Sequence, residues 1–181
     1  ALDETRNLFA PTLLNYTEAQ AHNVKEVWFP GVHSDVGGGY FHNALSRVTL
    51  KFMWQNWNTA LAAQDLAPLN WNDAAFAQAT DTSGQPFVRH SEEASLTGKL
   101  GGNSPRRCAT FDGRPPRVHR SVEDFVQQED VLHFCNEQDG FPPQDPITSP
   151  PYKPAAYPGA ADVELYDSTG WPGPKRPKKK P

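Results

Sequence analysis

A histidine, a serine and an aspartate stand side by side at the end of an apolar stretch, in the sequence VKEVWFPGVHSDVGGGY over residues 24–40. Imidazole has an unperturbed pKa of about 6.5, so His33 could accept a proton from a hydroxyl group and return it to a leaving group. Gly37, Gly38 and Gly39 follow and would let the backbone approach a substrate closely. The pattern predicts a general-base histidine on a pliable loop, with a plain surface turn as the alternative.

The neighbours of His33 fit supporting roles better than catalytic ones. Ser34 would be a nucleophile only in a G-x-S-x-G elbow, and no such elbow occurs in the 181 residues. Asp35 is suited to shaping the loop by accepting N–H bonds from the glycine turn. A metal shared by His33 and Asp35 would need a third ligand, and only His42 is near. We therefore predict no metal site at these residues.

Other polar residues are candidates for the rim of the same site. Asp3, Glu4 and Arg6 lie together in ALDETR, which predicts either a salt-bridged turn or a contact with that rim. His119 in RVHRSV stands before a predicted helix, where a structural role is the simpler interpretation. His90 has no partner that the sequence identifies.

The elements around His33 predict an α/β arrangement. Residues 24–29 contain a continuous apolar run and end at Pro30 and Gly31, as expected for a strand covered on both faces. Residues 43–64 carry a broad apolar stripe at helical spacing, with Asn43 as a candidate N-cap. In open parallel sheets, functional groups cluster beyond the carboxyl ends of the strands, which is where His33 would lie.

The second half of the chain has weaker signals. Residues 118–135 show apolar side chains at roughly helical spacing and predict a further helix. Residues 142–181 contain 11 of the 18 prolines and predict an extended tail that wraps the surface or is disordered. We divide the chain into a domain at 1–141 and a Pro-rich tail with a basic end at 142–181.

Composition excludes several classes of function. The formal net charge is −4, but the last seven residues hold five of the 17 basic residues. This leaves 12 basic against 21 acidic residues in 1–174, a net charge of −9, which argues against a nucleic-acid groove. No apolar run reaches the roughly 18–20 residues of a membrane helix, and no signal peptide is visible. The two cysteines are too few for a disulfide framework.

Three segments together carry a resemblance to a known family. They are ALDETRNLFAPTLL, VKEVWFPGVHSDVGGGY and the helix start ALSRVTLKFMW. The combination resembles the C-terminal part of the α/β-hydrolase family that includes the type VI secretion phospholipase effectors. The resemblance is strong over residues 1–60 and weak at 115–125. It implies an α/β-hydrolase-like sheet with flanking helices, here joined to the Pro-rich tail.

The resemblance implies a Ser-Asp-His triad that needs no cofactor, with the serine in a G-F-S-R-G elbow and the aspartate on a later strand end. In that family both precede ALDE, so only the general base carries over to this chain, as His33. Asp35, Gly37, Gly38 and Gly39 would shape its loop. We expect residues 1–181 alone to be inactive, with the N-terminal part of the same hydrolase as a partner and an ester or phospholipid as substrate.

An interaction module is the alternative to an enzyme. It would keep the fold but act through the Pro-rich tail and the basic end PKRPKKKP, which is also a candidate peripheral membrane contact. The resemblance is compatible with a soluble cytoplasmic protein or with a delivered effector.

Overall fold

The computed structural model describes residues 1–69, 72–83, 85, 87–92, 96–110, 112–127, 131–135, 147–149 and 151–166, and for 96–97, 131–135 and 147–149 it describes the backbone alone. The strands are β1 (Val27–Trp28), β2 (Val88–Ser91), β3 (Arg117–His119), β4 (Val131–Cys135), β5 (Ile147–Ser149) and β6 (Glu164–Tyr166). The α-helices are α1 (His33–Gly37), α2 (Ala44–Ala62), α3 (Asp73–Thr80), α4 (Leu96–Gly101) and α5 (Arg120–Val126).

The strands form two small open sheets. The first has the order β1–β3–β6 and is parallel throughout, with Trp28 paired to Val118 and Val118 to Leu165. The second has the order β2–β4–β5, with β2 and β4 parallel and β5 antiparallel to β4. Parallel strands flanked by helices are compatible with the predicted α/β class. In the first sheet the loop after β1 and the start of α5 leave from the same edge, because parallel strands end together.

Helix α2 packs one face on the core, as its apolar spacing predicted. Leu45, Val48 and Phe52 are buried at positions i, i+3 and i+7. Asn43 stands at the predicted N-cap position, but its Oδ1 accepts a bond from Nε of Arg47 at 2.8 Å and caps no backbone N–H. Within the described ranges, none of the helices combines the length and apolar character needed to cross a bilayer.

The core joins β1, β3, α2 and α5. Its buried side chains include Trp28, Phe29, Phe52, Val118, Val122 and Phe125. Phe29 and Phe52 meet edge to face with ring centroids 5.1 Å apart, a favourable aromatic geometry. Cys108 is a buried free thiol, and burial raises its pKa to about 11.

The prediction of a single helix over residues 118–135 is wrong. The segment consists of β3, α5 and β4, with residues 128–130 outside the described part. The His119 side chain accepts the N–H of Ser121 at 3.2 Å, so it caps α5 and separates it from β3. The apolar spacing was real, since Val118, Val122 and Phe125 are all buried, but a short strand and a short helix share that pattern.

Part of the predicted tail packs against the core. Tyr152 is 4 % exposed, Ala156 is 9 % exposed, and β6 completes the first sheet. The high proline content of this segment did not predict the packing. A few apolar side chains are enough to attach such a segment where the edge of a sheet is open. The domain division after residue 141 stays a prediction, and the basic end at 175–181 lies outside the described residues.

Candidate active site

The loop that carries His33 leaves the carboxyl end of β1 and is paired with the beginning of the chain. The N–H of Leu2 donates to the carbonyl of Phe29 at 2.8 Å, and the N–H of Asp3 donates to the carbonyl of Gly31 at 3.0 Å. This pairing brings ALDE alongside PGVHSD although about 28 residues separate them. Two of the three segments quoted for the family resemblance are therefore hydrogen-bonded to each other.

Three consecutive N–H groups of this loop each donate to a different carboxylate. Gly31 donates to Oδ2 of Asp3 at 2.5 Å. Val32 donates to Oδ2 of Asp35 at 2.9 Å, and His33 donates to Oε2 of Glu4 at 3.2 Å. Charge-assisted bonds of this kind are among the stronger ones in proteins. They fix the backbone up to the residue that the sequence predicted as a general base.

Gly31 is a residue that the sequence reasoning treated only as a strand end. Its φ is +94°, and a Cβ at this position would lie 2.4 Å from Cβ of Asp35 and 2.6 Å from its Oδ2. Only glycine fits both the backbone conformation and the approach of the carboxylate. The loop can therefore receive the Asp35 side chain because residue 31 has none.

The imidazole of His33 contacts an aromatic ring of the N-terminal segment. His33 is exposed at the start of α1, and its ring lies 5.3 Å from the ring of Phe9, centroid to centroid. The guanidinium of Arg6 lies 4.0 Å from the centroid of the same Phe9 ring. Within the described ranges no carboxylate bonds to the His33 ring. The structure thus presents His33 as an exposed imidazole on a rigid backbone.

Glu4 and Arg6 form the ion pair of the salt-bridged turn, one of the two alternatives predicted for ALDETR. Nε of Arg6 donates to Oε1 of Glu4 at 2.8 Å and Nη2 donates to Oε2 at 2.6 Å, so the pair is bidentate. Glu4 also accepts the N–H of His33, and contact with the rim of an active site stays a prediction. Burial acts to raise the pKa of Glu4, but the bonds from Arg6 and from backbone N–H groups outweigh it and lower that pKa.

Asp3 differs from Glu4 in its surroundings. Its Oδ2 accepts the hydroxyl of Tyr152 at 2.7 Å as well as the N–H of Gly31. Burial raises the pKa of Asp3, and the neighbouring Arg89 and these hydrogen bonds only partly oppose that shift. The carboxylate that holds Gly31 is therefore harder to ionise than a carboxylate in water.

The glycines and Asp35 organise the loop, but not through the donors that the sequence suggested. Asp35 is 2 % exposed and accepts from Val32 and His90, whereas the glycine turn supplies it with no bond. Gly38 and Gly39 have φ of +91° and +127°, which turns the chain from α1 towards α2. Gly37 lies in α1 at an ordinary φ. The roles of these residues in substrate binding stay predictions.

Sequence reasoning missed His90. It lies on β2, where Val88 and His90 are buried and Arg89 and Ser91 are half-buried, so it occupies an inward position of an alternating strand. Its Nδ1 lies 2.6 Å from Oδ1 of Asp35. The alternation was the available signal, but no local pattern names a partner 55 residues away.

The remaining candidates do not join this cluster as catalytic groups. His119 is fully buried, stacks on Phe29 with centroids 4.7 Å apart and caps α5. His42 meets Phe41 edge to face, with ring centroids 5.4 Å apart. The described residues contain no group of three or more His, Cys, Asp or Glu side chains placed to hold a metal ion.

The match to a known family covers His33, the carboxylates of Asp3, Glu4 and Asp35, and Arg6, but not His90 or Tyr152. Residues 1–56 match the family model described as T6SS, phospholipase effector Tle1-like, catalytic domain. The resemblance drawn from ALDETRNLFAPTLL and VKEVWFPGVHSDVGGGY is confirmed, because both motifs lie inside the match. The match supports a phospholipase-like, ester-hydrolysing function. Comparison with the curated proteins and with the solved structures gave no match.

Proposed function

We propose that this chain supplies the general-base histidine, His33, of a serine esterase or lipase of the phospholipase type. The nucleophilic serine and the triad aspartate would come from a segment of the same hydrolase outside these 181 residues, because the sequence contains no G-x-S-x-G elbow. Asp35 and the glycines at 37–39 would shape the loop around the substrate.

One observation carries this proposal: His33 is exposed while the backbone beneath it is fixed by buried carboxylates. The N–H groups of Gly31, Val32 and His33 are all bonded to carboxylates, and Glu4 and Asp35 are 0 % and 2 % exposed. A general base must reach the proton that it abstracts and must be held in one orientation. His33 meets the first condition through its exposure, and its bonded backbone and the Phe9 ring 5.3 Å away favour the second.

The reaction then follows the usual course of a triad. The His33 imidazole accepts the serine hydroxyl proton as the serine oxygen attacks the ester carbonyl, and it returns that proton to the departing alcohol as the C–O bond breaks. Water repeats the sequence on the acyl-enzyme and releases the acid. Phospholipid is the substrate class that the matched family suggests.

The test uses the natural polypeptide or complex that contains these residues, isolated whole. A fluorophosphonate probe should label a serine outside residues 1–181, and His33→Gln should lower ester hydrolysis by roughly 10³-fold or more. His22→Gln is the matched control, since His22 is exposed in the 3-10 helix Glu18–Asn23. Full activity of His33→Gln, or labelling of isolated residues 1–181, would overturn the proposal.

The interaction module is distinguished by the same experiment. It would keep residues 1–181 folded and bind a partner through the Pro-rich tail at 142–181 and its basic end, with no serine labelled in any associated chain. Of that tail, residues 142–146, 150 and 167–181 lie outside the described part of the chain.

A further inference from the structure

The loop that presents His33 is also held from a part of the chain beyond the family match. His90 on β2 contributes two bonds to the Asp35 carboxylate: its N–H donates to Oδ2 at 3.0 Å, and its ring Nδ1 lies 2.6 Å from Oδ1. The side chains of both residues are 1 % exposed. Because the other oxygen of this carboxyl group accepts two backbone N–H groups, we assign Asp35 as the acceptor in this bond also and the proton to Nδ1 of His90.

The Asp35 carboxylate links His90 to the backbone of the loop that carries His33. Its Oδ2 also accepts the N–H of Val32, the residue directly before His33. Both of its oxygens are thus engaged, one with the His90 ring and the other with two backbone N–H groups. A rotation of the carboxylate would break bonds on both sides of it.

Strand β2 and the residue after it hold the far end of the loop as well. The Tyr40 ring stacks on the His90 ring with centroids 3.8 Å apart and an interplanar angle of 18°. The Tyr40 hydroxyl donates to Glu92, and Glu92 lies 3.5 Å from Nη1 of Arg6. His90 therefore stands between the two ends of the segment that runs from Val32 to Tyr40.

We propose that His90 is a positioning residue: through Asp35 and Tyr40 it sets the orientation of the loop at 32–40 and thereby of the His33 imidazole. His90 is fully buried, so it acts through these residues and does not touch a substrate. The catalytic part of this inference rests on the proposed function of His33. The structural part, that His90 holds the loop, does not.

The first test compares two replacements of His90. Asparagine places an amide nitrogen close to the position of Nδ1 and can still donate to Asp35, whereas leucine fills similar space and donates nothing. In residues 1–181, His90→Leu should speed hydrogen exchange of the Val32 and His33 amides at least tenfold, and His90→Asn should restore most of the protection. Unchanged exchange in His90→Leu would overturn the inference whatever the chain catalyses.

The second test measures catalysis in the whole esterase that contains these residues. His90→Leu should lower kcat on the order of 10²-fold with KM changed less than about threefold, because a displaced base affects the chemical step. His90→Asn should recover most of the loss, and His22→Leu should have no effect. Faster amide exchange with kcat unchanged would overturn the positioning role in catalysis.

A third measurement needs no variant and covers the case in which His90→Leu does not fold. In the unmodified chain, NMR should show an Nδ1 proton of His90 that exchanges slowly with water. A ring nitrogen that exchanges like that of the exposed His22 would contradict the bond to Asp35. If His33→Gln retains activity while His90→Leu frees the loop, the proposed function fails and the structural inference stands.

Discussion

The carboxyl and amino ends of the β1–β3–β6 sheet use charged side chains in different ways. At the carboxyl ends, the Glu4 and Asp35 carboxylates are 0 % and 1 % exposed and accept bonds from the loop backbone. At the amino ends, Arg117 and Glu164 are 36 % and 58 % exposed and pair with each other at 2.9 Å. Similar distances thus join groups in very different surroundings.

The difference shows that bond length alone does not indicate what a charged contact contributes. When an exposed ion pair is broken, water solvates both charged groups. Such a pair therefore contributes at most about 1 kcal/mol to the free energy of unfolding. A buried carboxylate has no water to replace its partners, and removing one side leaves unpaired groups in the interior. The end that carries His33 should therefore be intolerant of change, and the opposite end tolerant.

The largest expected effect is at Gly31. Gly31→Ala combines a positive φ with a Cβ that would meet the Asp35 side chain, and we expect a loss of about 4 kcal/mol in the free energy of unfolding. Gly113→Ala is the matched control, since Gly113 has φ of +76° but nothing within 4 Å of the added Cβ, and should cost about 1 kcal/mol. Urea titration measures both, and equal losses would show that the close approach is unimportant.

Glu4→Gln should have the next largest effect. It removes the bidentate carboxylate from the buried Arg6 guanidinium and leaves it only the more distant Glu92 at 3.5 Å, which should cost about 3 kcal/mol at neutral pH. Because the folded-state pKa of Glu4 is lowered, its stabilisation is present above the unfolded pKa and is lost as pH falls through the folded pKa. The stability gap between wild type and variant should thus close in acid.

The control for this change lies at the opposite end of the sheet. Glu18→Gln removes a carboxylate that is 89 % exposed and pairs with Arg114 at 2.5 Å, and it should cost less than about 0.5 kcal/mol. A loss comparable to that of Glu4→Gln would remove the distinction between the two ends.

Asp3→Asn should change the free energy of unfolding by a smaller amount, about 1 kcal/mol. The pH dependence of this change should be opposite to that of Glu4→Gln. The folded-state pKa of Asp3 is raised, so its contribution to stability is present below the unfolded pKa and is lost as pH rises through the folded pKa. Asparagine can still accept from Gly31 and Tyr152 without ionising. Relative to wild type, the variant should become more stable as pH rises from the unfolded pKa of Asp3 through its raised folded-state pKa. A pH-independent difference would contradict this assignment.

Arg117→Ala should have the smallest effect, below about 0.5 kcal/mol. Its pair with Glu164 is exposed, so raising the salt concentration should reduce even this difference. Denaturation midpoints at low and high salt measure it. A loss that salt does not change would show that the pair is shielded from solvent.

Local signals were enough to predict the helix at 44–62 and a strand before Pro30, which is shorter than predicted at Val27–Trp28, but His33–Gly37 forms a short helix where a loop was predicted. The helix and the strand depend on the apolar stripe of α2 and the apolar run before Pro30, both of which lie within short windows. The contacts of Asp35 with His90 and of Asp3 with Tyr152 could not be predicted, because they join residues 55 and 149 positions apart. Likewise, His119 could be recognised as a cap only once α5 was known to begin after it.

The pairing of residues 2–4 with residues 29–33 has a consequence for how such a chain can evolve. Asp3 and Glu4 meet the backbone of Gly31 and His33, and Gly31 in turn leaves room for Asp35. A substitution on one side would leave buried groups unmatched on the other, so the two segments should drift only through paired replacements. We expect related chains to keep or lose them together, which makes the pair a better mark of ancestry than either segment alone.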